Sequence, residues 1–213
     1  MSEGDSRIWA ALLLLGAYHG INPGMGWLFA VALGLQEKNS ASVWRALPPL
    51  AVGHGAAIGA VVALAGLAQR VLPLPAVKVA VAAILLAFGL YRLVRHWHPR
   101  GSGMQVGFGD LTLWSFLMAS GHGAGFMLLP FLFGLSPHQG HGAVQLASSA
   151  APGAVAGFSA VVLHTAGYLL VTGVAAWVVY KKLGVALLRK AWLNLDLLWT
   201  GALLGTAVFT LVL

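Results

Sequence analysis

The chain has 213 residues, 59% of them hydrophobic and only 8% charged, whereas a soluble domain carries about 25% charged residues. So few charges cannot cover a water-facing surface, so the outer face meets lipid and there is no room for a soluble domain. The formal charge of +7 comes from Lys and Arg beside apolar stretches, where they set orientation and touch anionic headgroups, so no nucleic-acid partner is expected. Cysteine is absent, which excludes disulfides and thiolate metal sites.

A helix crossing the hydrocarbon core needs roughly 20 apolar residues. Six stretches meet that need: Ile8–Leu35, Leu47–Gln69, Ala76–Val94, Leu111–Leu135, Val155–Tyr180 and Trp192–Leu213. The expected fold class is therefore an all-α membrane protein of six transmembrane helices. The first stretch is read as a helix and not a signal peptide. Its apolar run is too long, its start carries Glu3 and Asp5 against Arg7, and no small-residue cleavage site precedes a soluble domain.

The loops carry charge unevenly. The first (Gln36–Ala46), third (Arg92–Asp110) and fifth (Lys181–Ala191) hold nine basic residues: Lys38, Arg45, Arg92, Arg95, Arg100, Lys181, Lys182, Arg189 and Lys190. The N-terminus and second loop hold Arg7, Arg70 and Lys78, and the fourth (Ser136–Ala154) holds none. The positive-inside rule then makes the odd loops cytoplasmic and puts both termini outside, in a plasma membrane such as the bacterial inner membrane.

The chain also repeats itself. Residues 1–100 and 101–213 each read as a helix with a Gly-His-Gly-type interruption, a helix with one mid-span histidine, and a plainer apolar helix. Because three is odd, the second copy enters the membrane from the opposite side. Two inverted three-helix repeats are the plan of many secondary transporters, whose sites lie near the midplane where broken helices meet.

Four histidines lie within apolar spans: His19 and His54 in the first repeat, His122 and His164 in the second. His19 follows Ile8 by eleven residues and His122 follows Leu111 by eleven, which at about 1.5 Å per residue puts both near the bilayer centre. A polar side chain in hydrocarbon is costly and faces a protein interior, where it marks a pathway or site. For a single histidine, a hydrogen bond to a neighbouring carbonyl explains as much. Four at matched depth point to a shared site.

Around His19 the sequence reads Gly20-Ile21-Asn22-Pro23-Gly24-Met25-Gly26. Proline removes a backbone donor and crowds the preceding turn, so the helix is expected to break at Pro23 and Gly24 and free carbonyls beside His19 and Asn22. Such backbone is tolerated at membrane depth where it is buried or lines a cavity. The partner stretch Ser120-Gly121-His122-Gly123-Ala124-Gly125 has no proline until Pro130, and its small residues equally suit close helix packing.

Imidazole is the commonest metal ligand and suits zinc, copper, nickel and iron. Met25 and Met127, shortly after His19 and His122, are accessory thioethers whose simpler role is packing. His138 and His141 form an H-x-x-H on the outer face, a collecting site at most, while His96 and His98 belong to a solvated cytoplasmic edge. Asp196, four residues before Thr200, reads either as an ion pair with Arg189 or Lys190 at the helix entry or as a proton carrier. Lys78 snorkels to an interface.

Pro23-Gly24, then Ala51-Val52-Gly53-His54-Gly55-Ala56-Ala57-Ile58-Gly59, then Ala87-Phe88-Gly89-Leu90-Tyr91-Arg92 resemble the LysE superfamily of small six-helix transporters. His19-Gly20-Ile21-Asn22-Pro23-Gly24-Met25 with Gly53-His54-Gly55 is similar to its NicO-like nickel/cobalt branch. There an HG-x-x-P-D-H type motif precedes a G-H on the next helix. The resemblance implies metal-cation or small-solute transport and carries over to His19, Pro23 and His54. It covers about 85 residues of the first half. Where the branch has an Asp-His pair this chain has Gly24-Met25, which removes a hard anionic ligand.

The leading expectation is a secondary transporter with a midplane site built from His19, Asn22, His54, His122 and His164. Its substrate would be a transition-metal ion or, alternatively, a small organic solute or amino acid exported in exchange for protons. No Walker motif points to ATP as driver, and the small ion or solute is the partner besides the bilayer and other copies in a homo-oligomer. A histidine-dependent intramembrane enzyme is the competing class, but Ser120 beside His122 does not form a dyad, because residues two apart on a helix do not face each other. Ser159 before His164 offers none either. A subunit of a larger membrane complex is the third class, and the short loops with matched histidines speak against it.

Overall fold

The structure, a computed structural model, describes residues 3–94, 107–134, 151–183 and 195–212. Among these it is all helical. The chain runs α1 (Glu3–Ile21), a 3-10 turn (Pro23–Met25), α2 (Trp27–Gln36), α3 (Ser40–Arg45), α4 (Leu47–Ala68) and α5 (Leu74–Val94). It continues through α6 (Phe108–Gly121), α7 (Ala124–Gly134), α8 (Ala151–Val178), a π turn (Val179–Leu183) and α9 (Leu195–Val212).

Three helical segments, Ser40–Ala68, Leu74–Tyr91 and Ala154–Lys182, are long and apolar enough to cross a membrane. A fourth is α6 with α7, bent by 58° at a short break. Trp27–Gln36 and Thr200–Val212 are shorter apolar helices. Large apolar side chains stand exposed along the outer faces, including Leu14, Leu64, Phe158, Leu170 and Leu211. Contiguous apolar surface on that scale is what an integral membrane protein presents to lipid and what a water-soluble monomer avoids.

One expectation needs correction. The loop expected at Gln36–Ala46 contains α3, because the side chain of Asn39 accepts a hydrogen bond from Ala41 N at 3.0 Å and caps a new helix start. The first span breaks where the sequence places the break, into α1 and α2 joined by the 3-10 turn at Pro23–Met25. Its pivot is Gly26, whose φ of 136° is a conformation only glycine adopts without strain. Arg95, His96, His98, Arg100, His138, His141, Arg189 and Lys190 fall outside the described residues.

Helix pairing follows where glycine lets backbones touch. α1 lies along α8, α4 along α6 and α5 along α9, with α4 also meeting α7 and α8. A Cβ on Gly16 would fall on the carbonyl of His164, and one on Gly167 on the carbonyl of Leu13. One on Gly20 would stand 2.5 Å from the carbonyl of Tyr168. The α1–α8 contact is therefore backbone against backbone. Gly53 does the same for α4 against Thr112 of α6. Between them Leu12, Leu50, Ile58, Leu128, Leu132 and Leu203 fill an apolar core.

Candidate functional site

His19 sits in the last turn of α1, and the glycine contacts of that helix carry it against α8, where His164 stands. His54 arrives from mid-α4. All three side chains are fully buried. The ring centroids are 4.9 Å apart for His19 and His164, 5.7 Å for His19 and His54, and 5.5 Å for His54 and His164. Three of the four membrane histidines expected from the sequence thus meet in one place.

The hydrogen bonds decide which ring nitrogen carries the proton. His19 Nδ1 lies 2.7 Å from the carbonyl of Leu15, and His164 Nδ1 lies 3.2 Å from that of Leu12. A carbonyl only accepts, so Nδ1 is the N–H in both rings and Nε2 keeps its lone pair. This is the arrangement of metal-ligating histidines, which donate their second nitrogen to a carbonyl or carboxylate. His54 differs. Neither of its nitrogens has a hydrogen-bond partner among the described residues, and neither has His164 Nε2. A buried polar group left unpaired costs about 1–3 kcal/mol, and such groups call for an explanation in function.

Tyr168, one turn after His164, completes the cluster. Its ring stacks on His54 at 4.0 Å with the planes 17° apart, and its hydroxyl donates to the carbonyl of Met25 at 2.6 Å. Sequence reading missed Tyr168, although its i, i+4 relation to His164 puts both on one helix face.

The break beside His19 is tied down, not open. Trp27 Nε1 donates to Ile21 O at 3.0 Å, and Trp114 Nε1 of α6 donates to Gly24 O at 3.2 Å. With Tyr168 on Met25 O, the carbonyls expected to be freed are taken up by two indoles and a phenol. The Asn22 side chain, expected as a ligand, accepts from Gly24 N at 2.9 Å and caps the 3-10 turn. Ser115 of α6 donates to Leu50 O at 2.8 Å, anchoring α4 below His54.

His122 caps the end of α6, buried, with Nδ1 2.7 Å from the carbonyl of Met118. Gly123 next to it has φ 71° and makes the bend into α7. Met25 and Met127 are both buried in the core, in keeping with packing. Asp196 lies in the first turn of α9. Ser120 is exposed on α6.

Among the described residues no group of three or more His, Asp or Glu side chains is arranged to hold a metal ion. The three imidazoles are close, but their nitrogens do not converge on one point as they stand. No family model, no curated protein and no solved structure matches the chain.

Proposed function

We propose that the chain is a secondary transporter of two inverted three-helix repeats, whose transport site is the His19–His54–His164 cluster with Tyr168 as its wall. The observation that carries this is the burial, in one cluster, of three imidazoles from three helices, with His54 left unpaired at both nitrogens.

Helix pairing supports the repeats. Exchanging α1/α2 with α6/α7, α4 with α8 and α5 with α9 turns the α1–α8 contact into the α6–α4 contact and maps the α5–α9 contact onto itself. His19 and His122 each bond the carbonyl four residues earlier at 2.7 Å, just before a helix break. His54 and His164 occupy the exchanged partner helices. This is also the plan that the likeness to the LysE superfamily implies, with six spans, the basic odd loops in the cytoplasm and both termini outside.

The substrate we infer is a transition-metal cation. Neutral imidazoles presenting Nε2 suit zinc, copper or nickel better than hard oxygen-seeking ions. Three protein ligands leave a coordination position open for exchange. Rotation of the His54 ring about its side-chain torsions is the step that would bring the set into coordination. His54 has no hydrogen bond to hold it back. The absence of a preformed cage among the described residues favours one second reading, in which the same imidazoles titrate to couple proton flow to export of a small organic solute.

Elemental analysis and titration calorimetry on detergent-purified protein, beside His54→Ala and His164→Ala, decide between them. Stoichiometric metal binding that both variants lose supports metal transport. No metal binding, together with proton-linked flux in vesicles that both variants lose, supports the second. Binding or flux untouched by either substitution refutes the site itself.

A further inference from the structure

α4 and α8 meet at the histidines but splay apart on the side facing away from them, and between them runs an open groove of about 910 Å³, within the range of about 300–1,000 Å³ typical of ligand sites. Its walls come from Gly55, Gly59 and Ala63 of α4 and from Gly157 and Val161 of α8, and every lining side chain except Thr165 and Arg70 is apolar. From Ala51 to Arg70 the α4 wall runs about 28 Å at 1.5 Å per residue, close to the roughly 30 Å of a hydrocarbon core. The exposed rim carries Val52, Leu67, Phe158 and Val162. The groove therefore opens sideways into the bilayer and, among the described residues, ends at one cation, Arg70.

We propose that this groove is a binding site for one anionic phospholipid, with an acyl chain between α4 and α8 and the phosphate against Arg70. Three features select that occupant. The walls offer an acyl chain apolar contact and almost no hydrogen bonding. The guanidinium stands at the membrane edge of the groove, exposed, and Arg70 has no ion pair among the described residues. Planar, bidentate recognition of phosphate is what arginine does best. Arg70 also lies on the side whose loops carry few basic residues, so orientation of the chain does not account for it. A helix from a second copy would fill the apolar part equally but would leave the guanidinium unmatched.

Glycine makes the test clean. A Cβ on Gly59 meets nothing within 4 Å, so a larger side chain there grows into the groove and not into the helix packing. The experiment is native mass spectrometry of the full chain in mild detergent, supplied with phosphatidylglycerol or phosphatidylcholine. The proteins compared are wild type, Gly59→Leu and Arg70→Gln, with Ala63→Leu on the same wall as the second filling variant. Helicity and elution volume identify a filling variant that has not folded, in which case the other decides.

Wild type is expected to retain one phosphatidylglycerol in preference to phosphatidylcholine. Arg70→Gln should reduce that preference about fivefold, the worth of one basic residue beside an anionic headgroup. Gly59→Leu and Ala63→Leu should lose both lipids. Equal retention by folded filling variants overturns the proposal, as does a wild type indifferent to headgroup. A wild-type dimer that Gly59→Leu converts to monomer also overturns it, since the groove would then be covered by a second copy.

Discussion

Replacing His54 with leucine is expected to make the protein slightly more stable and to abolish the proposed metal binding. The side chain is fully buried, and both ring nitrogens lack hydrogen-bond partners among the described residues. Relieving an unpaired buried polar group is worth about 1–3 kcal/mol. Leucine forfeits the ring stacking on Tyr168, which lies 4.0 Å from the His54 centroid and contributes about 0.5–1.5 kcal/mol beyond area burial. The difference is a net gain of about 1 kcal/mol, or roughly 2–4 °C in unfolding temperature for a domain of this size. Thermal unfolding in detergent by circular dichroism, run beside calorimetric metal titration, measures both quantities. A loss of stability greater than about 1 kcal/mol would show that His54 is a structural histidine with partners it needs. Undiminished binding and flux in the leucine variant would refute its place in the proposed transport site.

Three further substitutions probe the scaffold around the cluster. Tyr168→Phe removes the hydroxyl from Met25 O and leaves that buried carbonyl unpaired, a cost of about 1–3 kcal/mol. The variant should still bind substrate through the histidines but transport it more slowly, as vesicle flux against equilibrium binding would reveal. Gly16→Val drives a branched side chain onto the His164 carbonyl and separates α1 from α8. We expect a loss of more than about 3 kcal/mol, at the severe end for single substitutions, and failure to bind, seen as a lowered melting temperature and an empty calorimetric trace. Asn22→Ala removes the cap on Gly24 N and should cost about 0.5–2 kcal/mol, with Asn22→Ser restoring most of it. A ligand role for Asn22 predicts, in addition, a loss of substrate affinity that serine does not restore.

Much of the site was legible before any tertiary structure. The low charge and the long apolar runs announce lipid-facing helices, because hydrocarbon and water select composition residue by residue. Asn22-Pro23-Gly24 marks a break, because proline and glycine act on the local backbone. Buried histidines at similar depth could be counted along the spans, and three of them do meet. The uses of polar groups at the break were not legible. The break was expected to free carbonyls beside His19 and Asn22, on backbone that is buried or lines a cavity, yet Trp27, Trp114 and Tyr168 take up those of Ile21, Gly24 and Met25. Two of these donors come from other helices, ninety or more residues away in sequence.

What the sequence determined by itself is therefore local: which segments prefer lipid, where a helix stops, and which polar side chains are too costly to leave in hydrocarbon. Only the tertiary structure decided partnership. It set α1 on α8 because Gly16, Gly20 and Gly167 admit backbone contact, and it brought His54 onto Tyr168. It set the Asn22 side chain as a cap on Gly24 N and left a groove open between α4 and α8. Periodicity tells which face of a helix is special, but the face it meets depends on complementary shapes far apart in the chain, and shape is not written in any one segment.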